Sequence, residues 1–595
     1  MADSKSENCQ CEWVPDEHCD EPYYKEHNGR RYCVLHYPDA EKQEDFLRAL
    51  ENRLDESNVK YLSFVGVWFP DPVHLSGKSF TSLADFSHAR FNSDVEFIES
   101  HFDEVRFVGS HFKGQADFTE SQYDGIADFS GAQFEQPVSF SRATFSHEGR
   151  FFRTQFADFA NYSGAEFEDE AYFNLAVFNI ADFSAARIPV GTDKSNSSGK
   201  PQFEIYRSKF KNAQFNGATF NRCTFKQACF SGTAGFIYAQ FRDFVDFFIV
   251  DFNKVDFTNS FLTHANFDGA FFLDVPTFIK CNLQGNTVFA TARLPGIDCS
   301  DAIFHGPVDF SVTRFENSLA DWEKDKLQEC NITLNEAVPK PIIICFDKAT
   351  FKEGLTFKGI ELQQEKALLS FDDSIFEKPE KVRFVAISLP PHSFMGVDPR
   401  KFNFNDARLG HINKRKALKE AKQALQKHDR TYSSPMLELA YRQLAVNAEE
   451  NNRYEQAADL RYLAMEVARP MRWRRIDVFK LSWWYWLLSG YGERVRRALT
   501  ALLVIWLVSA AIYWSGNATW WQPKTTPNAT QSLPPTPRAL TAPDALLYSA
   551  GVIALQKPEP LPANKLAKLF VLLETVLGPI QAALLALAIR RKFMR

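Results

Sequence analysis

Phenylalanine recurs about every fifth residue through the middle of the sequence. In the segment ADFSGAQFEQPVSFSRATF it stands at Phe129, Phe134, Phe140 and Phe145, and a small apolar residue precedes each one by two positions. A helix repeats about every 3.6 residues and a strand about every two, so neither gives this spacing. A coil with four sides of about five residues brings every fifth residue to its inside. The spacing therefore predicts a square solenoid with stacked phenylalanine rings in its core.

The repeat covers a large part of the chain. Its centres run from Phe86 to Phe183, resume at Phe210 after the loop GTDKSNSSGKP, and continue less regularly from Phe346 to Phe376. The small-x-Phe register resembles that of the pentapeptide-repeat family, whose fold is a right-handed quadrilateral β-helix. The resemblance implies a mainly β fold. Where steps of five and six residues alternate, we expect every second corner of the coil to bulge.

Composition, motif spacing and resemblance to known families together predict five parts. In chain order these are a zinc-binding module at 1–40, an N-terminal helical cap at 41–80, the β-helix at 81–409, a basic helical linker at 410–480 and a transmembrane pore domain at 481–595. The β-helix is expected to be interrupted near residues 188–202 and 317–345. The pore domain is expected to contain two transmembrane helices and a re-entrant pore half-helix between them.

The outside of the predicted solenoid is acidic. Between Asp85 and Asp182 the sequence holds 18 Asp and Glu against 6 Lys and Arg, a local charge of −12. Some soluble pentapeptide-repeat proteins mimic DNA and inhibit gyrase, so the resemblance makes a DNA-mimic inhibitor one alternative. The other interpretation is a solvated surface that keeps a phenylalanine-rich rod soluble.

A cluster of cysteines near the amino terminus predicts a metal site. Cys33 and His36 have the C-x-x-H spacing that lets one turn present two ligands to a tetrahedral zinc ion. The stretch resembles short zinc-binding modules of the form C-x-W…C…Y-C-x-x-H, matched here by Cys11, Trp13, Cys19, Tyr32, Cys33 and His36. The expected ligands are Cys11, Cys19, Cys33 and His36, and the expected cofactor is a structural Zn²⁺. Cys9 and His18 keep the ligand set open, and unligated surface thiols are the alternative.

After the solenoid the sequence becomes helical and basic. Between Lys414 and Arg497 there are 18 Lys and Arg against 10 Asp and Glu. Part of this stretch resembles a helical hairpin that links pentapeptide repeats to membrane helices in bacterial proteins. The residues that carry the resemblance are Tyr441, Arg442, Leu444, Tyr454, Ala457 and Met465. The segment is interpreted as a site for a polyanion, as a contact with anionic lipid headgroups, or as a helical spacer. The expected ligand-binding residues are Lys414, Arg415, Lys416, Lys419, Tyr432 and Tyr441.

Two apolar runs near the carboxyl end, at 498–514 and 569–589, are each just long enough to cross a membrane. Basic residues flank the outer end of both runs, so both termini are expected in the cytoplasm of a bacterium, with the chain in its inner membrane. Tryptophans on either side of the first run suit the two membrane interfaces. The amino-terminal sequence is polar and shows no signal peptide.

A short apolar run at 544–555 lies between the two predicted spans. This order resembles the two-helix pore of potassium-channel-like proteins. The residues that carry the resemblance are Ala545, Leu546, Tyr548, Ser549, Leu573, Glu574 and Gly578. Where that family has its Gly-Tyr-Gly filter, this chain has VIALQKPEPLP, so potassium selectivity is not expected. The residues expected at the pore are Leu555, Gln556, Lys557, Glu559 and Glu574. In the alternative interpretation, Glu574 bonds to the half-helix and holds the pair of membrane helices together.

The sequence contains no phosphate-cradling glycine loop and no H-E-x-x-H helix, so an enzyme is not expected. A ligand-gated or partner-gated ion channel with a cytoplasmic sensor is the leading hypothesis, and a homotetramer is expected because one pair of spans cannot enclose a pore. The layout is similar to that of the channel subunit of Hailong-type anti-phage defence. That resemblance implies a single-stranded DNA oligomer as ligand, made by a partner nucleotidyltransferase. A membrane-anchored binding scaffold is the further alternative.

Overall fold

The computed structural model describes residues 22–54, 61–188, 201–316, 318–332, 342–360, 367–409, 434–468, 480–522 and 539–593. The chain divides into two compact units. The first contains residues Met1–Leu389 and Phe402–Leu409, and the second contains residues Pro390–Lys401 and Gly410–Arg595.

The first described element is a two-stranded antiparallel hairpin of Tyr23–His27 and Arg30–Cys33. Asn28 and Gly29 form its turn with φ values of 49° and 77°, a conformation that this residue pair adopts readily. Helix α1, Gln43–Leu54, follows and buries Phe46 and Leu50. The Phe46 ring meets the ring of Phe69 edge-on at 5.4 Å, so α1 covers the first solenoid coil.

The solenoid has four faces of parallel strands, and the longer strands turn a corner from one face to the next. The first face contains Trp68–Phe69, Arg90–Phe91, His111–Phe112, Gln133–Phe134, Gln155–Asn161, Val177–Asp182, Lys209–Gln214, Cys229–Gly235, Asp251–Asp256, Phe271–Phe272, Arg293–Leu294 and Arg314–Phe315. The second adds Val73–His74, Val95–Glu96, Ala116–Asp117, Val138–Ser139, Gly296–Asp298, Ile342–Cys345 and Ala367–Ser370.

The third face contains Ser79–Asp85, His101–Arg106, Gln122–Tyr123, Thr144–Phe145, Glu166–Phe167, Thr219–Phe220, Gln240–Asp246, Phe261–Asn266, Asn282–Leu283, Ile303–Phe304, Thr350–Phe351 and Ile375–Phe376. The fourth adds Tyr61–Ser63, Ala127–Asp128, Gly149–Arg150, Ala171–Tyr172, Phe203–Glu204, Cys223–Thr224, Thr287–Val288, Val308–Ser311, Leu355–Lys358, Val382–Val385 and Asn403–Asn405. Ser388–Leu389 pairs with Arg408–Leu409.

The predicted phenylalanine core is confirmed. Phe112 pairs with Phe91 in the preceding coil and with Phe134 in the following coil, and its ring stacks on theirs at 4.6 and 4.5 Å. Rings from neighbouring faces meet edge-on, as Phe107 and Phe118 do at 5.5 Å. Because each coil has only one inner surface, stacking on its neighbours is what removes these rings from water.

The corners alternate between two types, in agreement with the predicted bulge at every second corner. The tighter corners hold a left-handed residue in a five-residue step, such as His88 and Glu99, with φ values of 57° and 53°. The wider corners accommodate the additional residue of the six-residue steps, such as the step from Phe91 to Phe97. The uneven spacing in the sequence is therefore a property of the square coil.

The solenoid begins earlier than its predicted start at residue 81. Strand pairing begins at Tyr61–Ser63, within the segment expected to be a helical cap, and the described helical part of that segment is α1 with the short 3-10 turn Ala40–Lys42 before it. Phe64 stacks on Phe86 at 4.6 Å and Phe69 on Phe91 at 4.4 Å. Their spacing continues the register, but Leu62 precedes Phe64 by two positions and the centre after Phe69 is Leu75, which hid the coil in the sequence.

Helix α2, Asp321–Glu329, lies in the second predicted interruption and packs on the side of the solenoid. Its Lys326 forms an ion pair of 2.5 Å with the buried Asp251. Burial raises the pKa of the Asp251 carboxyl, and the charge of Lys326 opposes this shift. A disulfide joins Cys229 of the solenoid to Cys330, directly after the helix. The first predicted interruption falls mostly outside the described residues.

The second unit is helical. Among its described residues, the α-helices are α3 Ser434–Glu450, α4 Tyr454–Ala468, α5 Leu481–Ser489, α6 Val495–Ser515, α7 Ala542–Ile553 and α8 Lys565–Phe593. Helices α3 and α4 form an antiparallel hairpin, the linker hairpin. Two segments, Val495–Ser515 and Lys565–Arg591, are long and apolar enough to cross a membrane, with a mean hydropathy of 1.9 each. Only 17% of each apolar window is buried within the chain, so neither resembles a soluble core helix.

Candidate functional site

Helix α7 is a capped half-helix between the two apolar helices. Thr541 caps its amino end by accepting a hydrogen bond from the backbone N–H of Asp544, and its hydroxyl donates to Asp544 Oδ2 at 2.5 Å. A proline follows within the first turn. The helix has 12 residues, so it is about 18 Å long, short of the roughly 30 Å hydrocarbon layer. It ends at Ile553, and two residues later Leu555, with a φ of 58°, turns the chain sharply. The structure thus contains the short helix that the sequence predicted at 544–555.

An aromatic cluster holds α7 against its neighbours. Tyr548 is buried against Trp521 and Tyr513, with ring centroids at 4.9 and 5.2 Å. The indole nitrogen of Trp506 donates a hydrogen bond of 3.1 Å to the backbone carbonyl of Leu546. Trp506 and Tyr513 lie on α6, so this helix positions α7 through both apolar and polar contacts. Neither residue was singled out by sequence reasoning.

Glu574 lies on α8 and is only 3% exposed. Tyr513 donates a hydrogen bond of 2.5 Å to Glu574 Oε2, and the hydroxyl of Ser549 donates to Oε1. A buried carboxylate needs such donors because desolvation disfavours its charged form. Glu574 therefore joins α6, α7 and α8 in this chain, which agrees with the alternative role inferred from the sequence rather than with an open pore position.

The other residues expected at the pore lie together on the loop after α7. Leu555, Gln556, Lys557 and Glu559 are all exposed. The loop is anchored by backbone hydrogen bonds from Gln522 to Leu561 and from Ala563 to Trp520, at 2.8 and 2.7 Å. The structure thus brings four of the five predicted residues onto one anchored loop and places the fifth in the helical core.

Helix α8 approaches α7 closely at Gly578, directly before Pro579. A Cβ atom at position 578 would lie 2.8 Å from Ile553 Cγ1, so a larger residue would push the helices apart. One turn further along, the amide of Gln581 donates to the carbonyls of Leu488 and Ala498 at 2.9 and 2.8 Å. Gln581 thereby ties α8 to the end of α5 and the start of α6.

A cavity of about 260 Å³ separates part of α6 from α8. Most of its lining residues are aliphatic or aromatic, and the exceptions are Ser509 and Glu574. The lining residues are Val504, Ile505, Val508, Ser509, Ile512, Tyr513, Phe570, Leu573, Glu574 and Leu577.

The predicted ligand-binding residues are mostly outside the described part of the chain, which omits Lys414, Arg415, Lys416, Lys419 and Tyr432. Tyr441 lies on α3 and is 1% exposed. It is a core residue of the linker hairpin, so its ring does not offer a stacking surface for a base. The prediction for Tyr441 is therefore corrected: helical spacing placed this aromatic on the buried face.

Cys33 and His36 meet near the amino terminus as the C-x-x-H spacing predicts. Cys33 Sγ lies 2.9 Å from His36 Nδ1, and His36 Nε2 donates to the carbonyl of Val65 at 2.8 Å. With its proton on Nε2, the ring directs a lone pair from Nδ1 towards the sulfur side. Two such ligand atoms bound to one tetrahedral zinc ion are about 3.5 Å apart, so Cys33 Sγ and His36 Nδ1 would need to move only slightly apart to bind the ion. Cys11 and Cys19, like Cys9 and His18, lie outside the described residues.

Comparison with known proteins identifies the repeats. Residues 76–122 match a model of pentapeptide repeats with nine copies, and residues 206–233 match a second model of pentapeptide repeats with eight copies. No curated protein sequence matches the chain.

Similar solved structures include two trypsin-treated variants of QnrB1, a plasmid-mediated fluoroquinolone resistance protein. They are 10% and 11% identical, cover 50% and 52% of this chain and 97% and 99% of their own, and have TM-scores of 0.14. TM-scores this low carry no argument about function. On its repeats and its strand pairing, the chain contains a β-solenoid of pentapeptide repeats, followed by helices that include two apolar ones.

Proposed function

We propose that the protein is a membrane ion channel in which the solenoid serves as a cytoplasmic sensor. The observation that carries this proposal is the half-helix α7, which is too short to cross a membrane yet is held by Trp506 of α6 and Glu574 of α8. A membrane anchor alone needs no such element. A span, a fixed half-helix, an anchored loop and a second span together form the repeating unit of a pore.

The loop after α7 supports the same proposal. Backbone that is not helical is tolerated at membrane depth only where it is buried in protein or lines a water-filled cavity. Leu555, Gln556, Lys557 and Glu559 are exposed within one chain. Assembly of four chains around an axis gives this loop a water-filled interior to line, so we propose a homotetramer. With Lys557 and Glu559 at the constriction and no ring of backbone carbonyls, the pore would not select potassium.

The proposed orientation follows from the flanking charges. Arg494, Arg496 and Arg497 precede or begin α6, and Arg590 and Arg591 lie near the end of α8. The excess of basic residues at these two ends puts both termini in the cytoplasm, here the cytoplasm of a bacterium, with the spans in its inner membrane. The solenoid is then in the cytoplasm, where it can meet a trigger.

We further propose that the basic segment before α3 receives a polyanionic ligand. Lys414, Arg415, Lys416 and Lys419 supply the charge, and Tyr432 supplies an aromatic ring; Tyr441 is excluded by its burial. A single-stranded DNA oligomer suits charged and aromatic side chains in combination. By its resemblance to Hailong-type systems, the protein would act in anti-phage defence with a partner nucleotidyltransferase. Anionic lipid headgroups are the competing ligand.

Cys33 and His36 are proposed as two of the four ligands of a structural zinc ion. Their proximity and the hydrogen bond from His36 to Val65 support this assignment. The remaining two ligands would come from Cys11 and Cys19, or from Cys9 or His18. Four protein ligands leave no open position, so the site is structural, and we assign the protein no enzymatic activity.

One observation favours a second candidate function. The acidic solenoid surface between Asp85 and Asp182 would suit a membrane-anchored scaffold that binds basic proteins. A DNA-mimic inhibitor would use the same surface.

Single-channel recording of the purified full chain in a planar bilayer tests the channel proposal. We expect unitary current steps, and we expect Lys557→Glu to shift the reversal potential towards cations in asymmetric salt. Lys358→Glu, which makes the same charge change at an exposed position of the solenoid, is the matched control and should leave the reversal potential unchanged. Without unitary steps from the parent protein, with or without added oligonucleotide, the scaffold would replace the channel.

A further inference from the structure

The turn between α5 and α6 is packed tightly against the end of α8. Gly490, Tyr491 and Gly492 all have left-handed backbones, with φ values of 57°, 61° and 72°. A Cβ atom on Gly492 would lie 2.7 Å from Tyr485 Oη and 3.2 Å from Arg591 Nη1. The positive φ of Gly492 favours glycine, and a side chain there would displace Tyr485 or Arg591. Arg591 also donates to the backbone carbonyl of Tyr491 at 3.2 Å.

The next residue, Glu493, joins this turn to two other helices. Its side chain is 4% exposed, and Oε1 accepts hydrogen bonds from Arg461 Nε at 3.1 Å and from Arg591 Nη1 at 3.3 Å. Arg461 lies on α4 of the linker hairpin and Arg591 lies near the carboxyl end of α8. A single buried carboxylate is thus shared by the linker hairpin and the second apolar helix.

The shared carboxylate resists separate motion of the two helices. If either arginine moved away, Glu493 would keep a buried charge with fewer partners, and loss of one partner from a buried ion pair is strongly destabilising. A second link, between Arg494 and Asp459 at 3.0 Å, is more exposed and connects α4 only to the start of α6. Of the described contacts, the one through Glu493 is the ionic route from the linker hairpin to α8.

The linker hairpin also receives a connection from the other direction. The amide of Asn447 on α3 donates to the backbone carbonyls of Pro399 and Arg400 at 3.2 and 2.8 Å. These two residues belong to the segment Pro390–Lys401, which lies in the sequence between two strands of the solenoid. A displacement of that segment would therefore also displace α3 of the linker hairpin.

We propose that Glu493 is a positioning residue that transmits displacement of the linker hairpin to the carboxyl end of α8. This inference rests on the proposed channel for its functional consequence, which is control of the open fraction of the pore. Glu493 itself touches neither the permeating ion nor the ligand. It acts by holding Arg461 and Arg591, and therefore α4 and α8, in fixed positions relative to each other.

Two measurements on the full chain test this proposal. The test variant is Arg461→Gln, which removes the α4 partner of Glu493, together with the pair between Arg461 and Glu449 inside the linker hairpin, and leaves Glu493 and Arg591 in place. The control is Arg442→Gln on α3, which removes only an exposed pair with Glu438. In detergent micelles, we expect amide hydrogen exchange at Leu587–Arg591 to be about tenfold faster in Arg461→Gln than in the parent, with α7 unchanged and the control like the parent. In planar bilayers, we expect the open fraction to shift about fivefold in Arg461→Gln and not in the control.

The outcomes separate the inference from the function on which it rests. Faster exchange confined to the end of α8 supports the coupling, even if the parent protein passes no current. Absence of current from the parent would reject only the channel. Unchanged exchange at the end of α8 would overturn the coupling, and so would equally faster exchange throughout α4, α7 and α8, which indicates general loosening. Arg461→Lys, which keeps the charge, should restore most of the parent open fraction; failure to do so in a folded protein would also count against the coupling.

Discussion

Tyr513 donates a hydrogen bond to Glu574, with 2.5 Å between the two oxygens, and so joins the first apolar helix to the second. The same carboxylate accepts a hydrogen bond from Ser549 of the half-helix between them. One buried acidic residue thus fixes three helices, and the helical unit depends on the donors of Glu574 as much as on apolar packing.

We expect Tyr513→Phe to destabilise the helical unit. The change keeps the ring and removes one donor from a buried carboxylate, and a buried polar group left without its partner costs about 1–3 kcal/mol. Thermal unfolding of the purified protein in detergent measures the effect. Ser515→Ala is the control, because its hydroxyl is exposed and bonds only to the carbonyl of Ile512. Equal melting of Tyr513→Phe and the parent would show that Glu574 does not need this donor.

The solenoid should be sensitive to loss of a single inner ring. Phe129 is fully buried and stacks on Phe107 and Phe151 at 4.9 and 5.1 Å. Phe129→Ala should lower the free energy of unfolding by about 3–5 kcal/mol through the cavity it leaves. Phe134→Leu should be mild, because leucine fills much of the same space, and Phe152→Ala should be milder still because Phe152 is partly exposed. Chemical denaturation of the purified protein measures all three, and a silent Phe129→Ala would contradict the stacked core.

The metal prediction concerns Cys33. The purified protein should contain about one zinc per chain. Cys33→Ser should abolish zinc binding, because a structural site loses most of its affinity for the metal when one ligand is removed. Metal analysis by mass spectrometry measures the content. Cys299→Ser is the control, since this buried cysteine lies in the solenoid core. A metal-free parent protein, prepared without chelators, would remove the zinc-binding module.

Four copies should assemble in mild detergent. A pair of spans and one half-helix leave the loop at Leu555 and Lys557 exposed on one side, and only a closed ring gives this loop a lumen. Native mass spectrometry should give four times the mass of one chain, 68.0 kDa. A monomer under conditions that keep the protein folded would contradict both the tetramer and the channel.

The solenoid could be predicted from the sequence because its signal is local and repeated. Each phenylalanine centre lies five or six residues from the next, so a short window already defines the coil, and errors arise where a residue of the pattern is replaced, as at Leu62 before Phe64 and at Leu75. The half-helix could be predicted from its length and its place between two apolar runs. These features need no knowledge of distant contacts.

The contacts that organise the helical unit could not be predicted in the same way. Tyr513 and Glu574 are 61 residues apart in the sequence, and Glu493 and Arg591 are 98 apart. Tyr513 looks like an interfacial aromatic at the end of a span, and Glu493 looks like one exposed charge in a basic segment. Their partners are set by how the helices pack. The same limit explains Tyr441, whose helical face could be assigned only once α4 was in place.

The last prediction concerns the basic segment before α3. Reversing the charge of Lys414, Arg415, Lys416 and Lys419 together should abolish binding of a single-stranded DNA oligomer, because each cation that meets a phosphate releases counterions. The parent should lose affinity steeply as salt rises, and the variant should show no such dependence. Thermal stability should change little, because the four substitutions leave the packed pair of helices α3 and α4 unaltered.

Two parallel binding assays decide which anion the segment recognises. Fluorescence anisotropy with a labelled oligonucleotide reports on nucleic acid, and flotation with vesicles containing anionic lipid reports on headgroups. Loss of the first with the second intact supports the polyanion site, and the reverse supports a lipid contact. Charge reversal at Lys348 and Lys352, on the described solenoid, is the control for a general change in net charge. If the variant bound both probes and conducted like the parent, the segment would be a spacer, and the trigger would have to act on the solenoid.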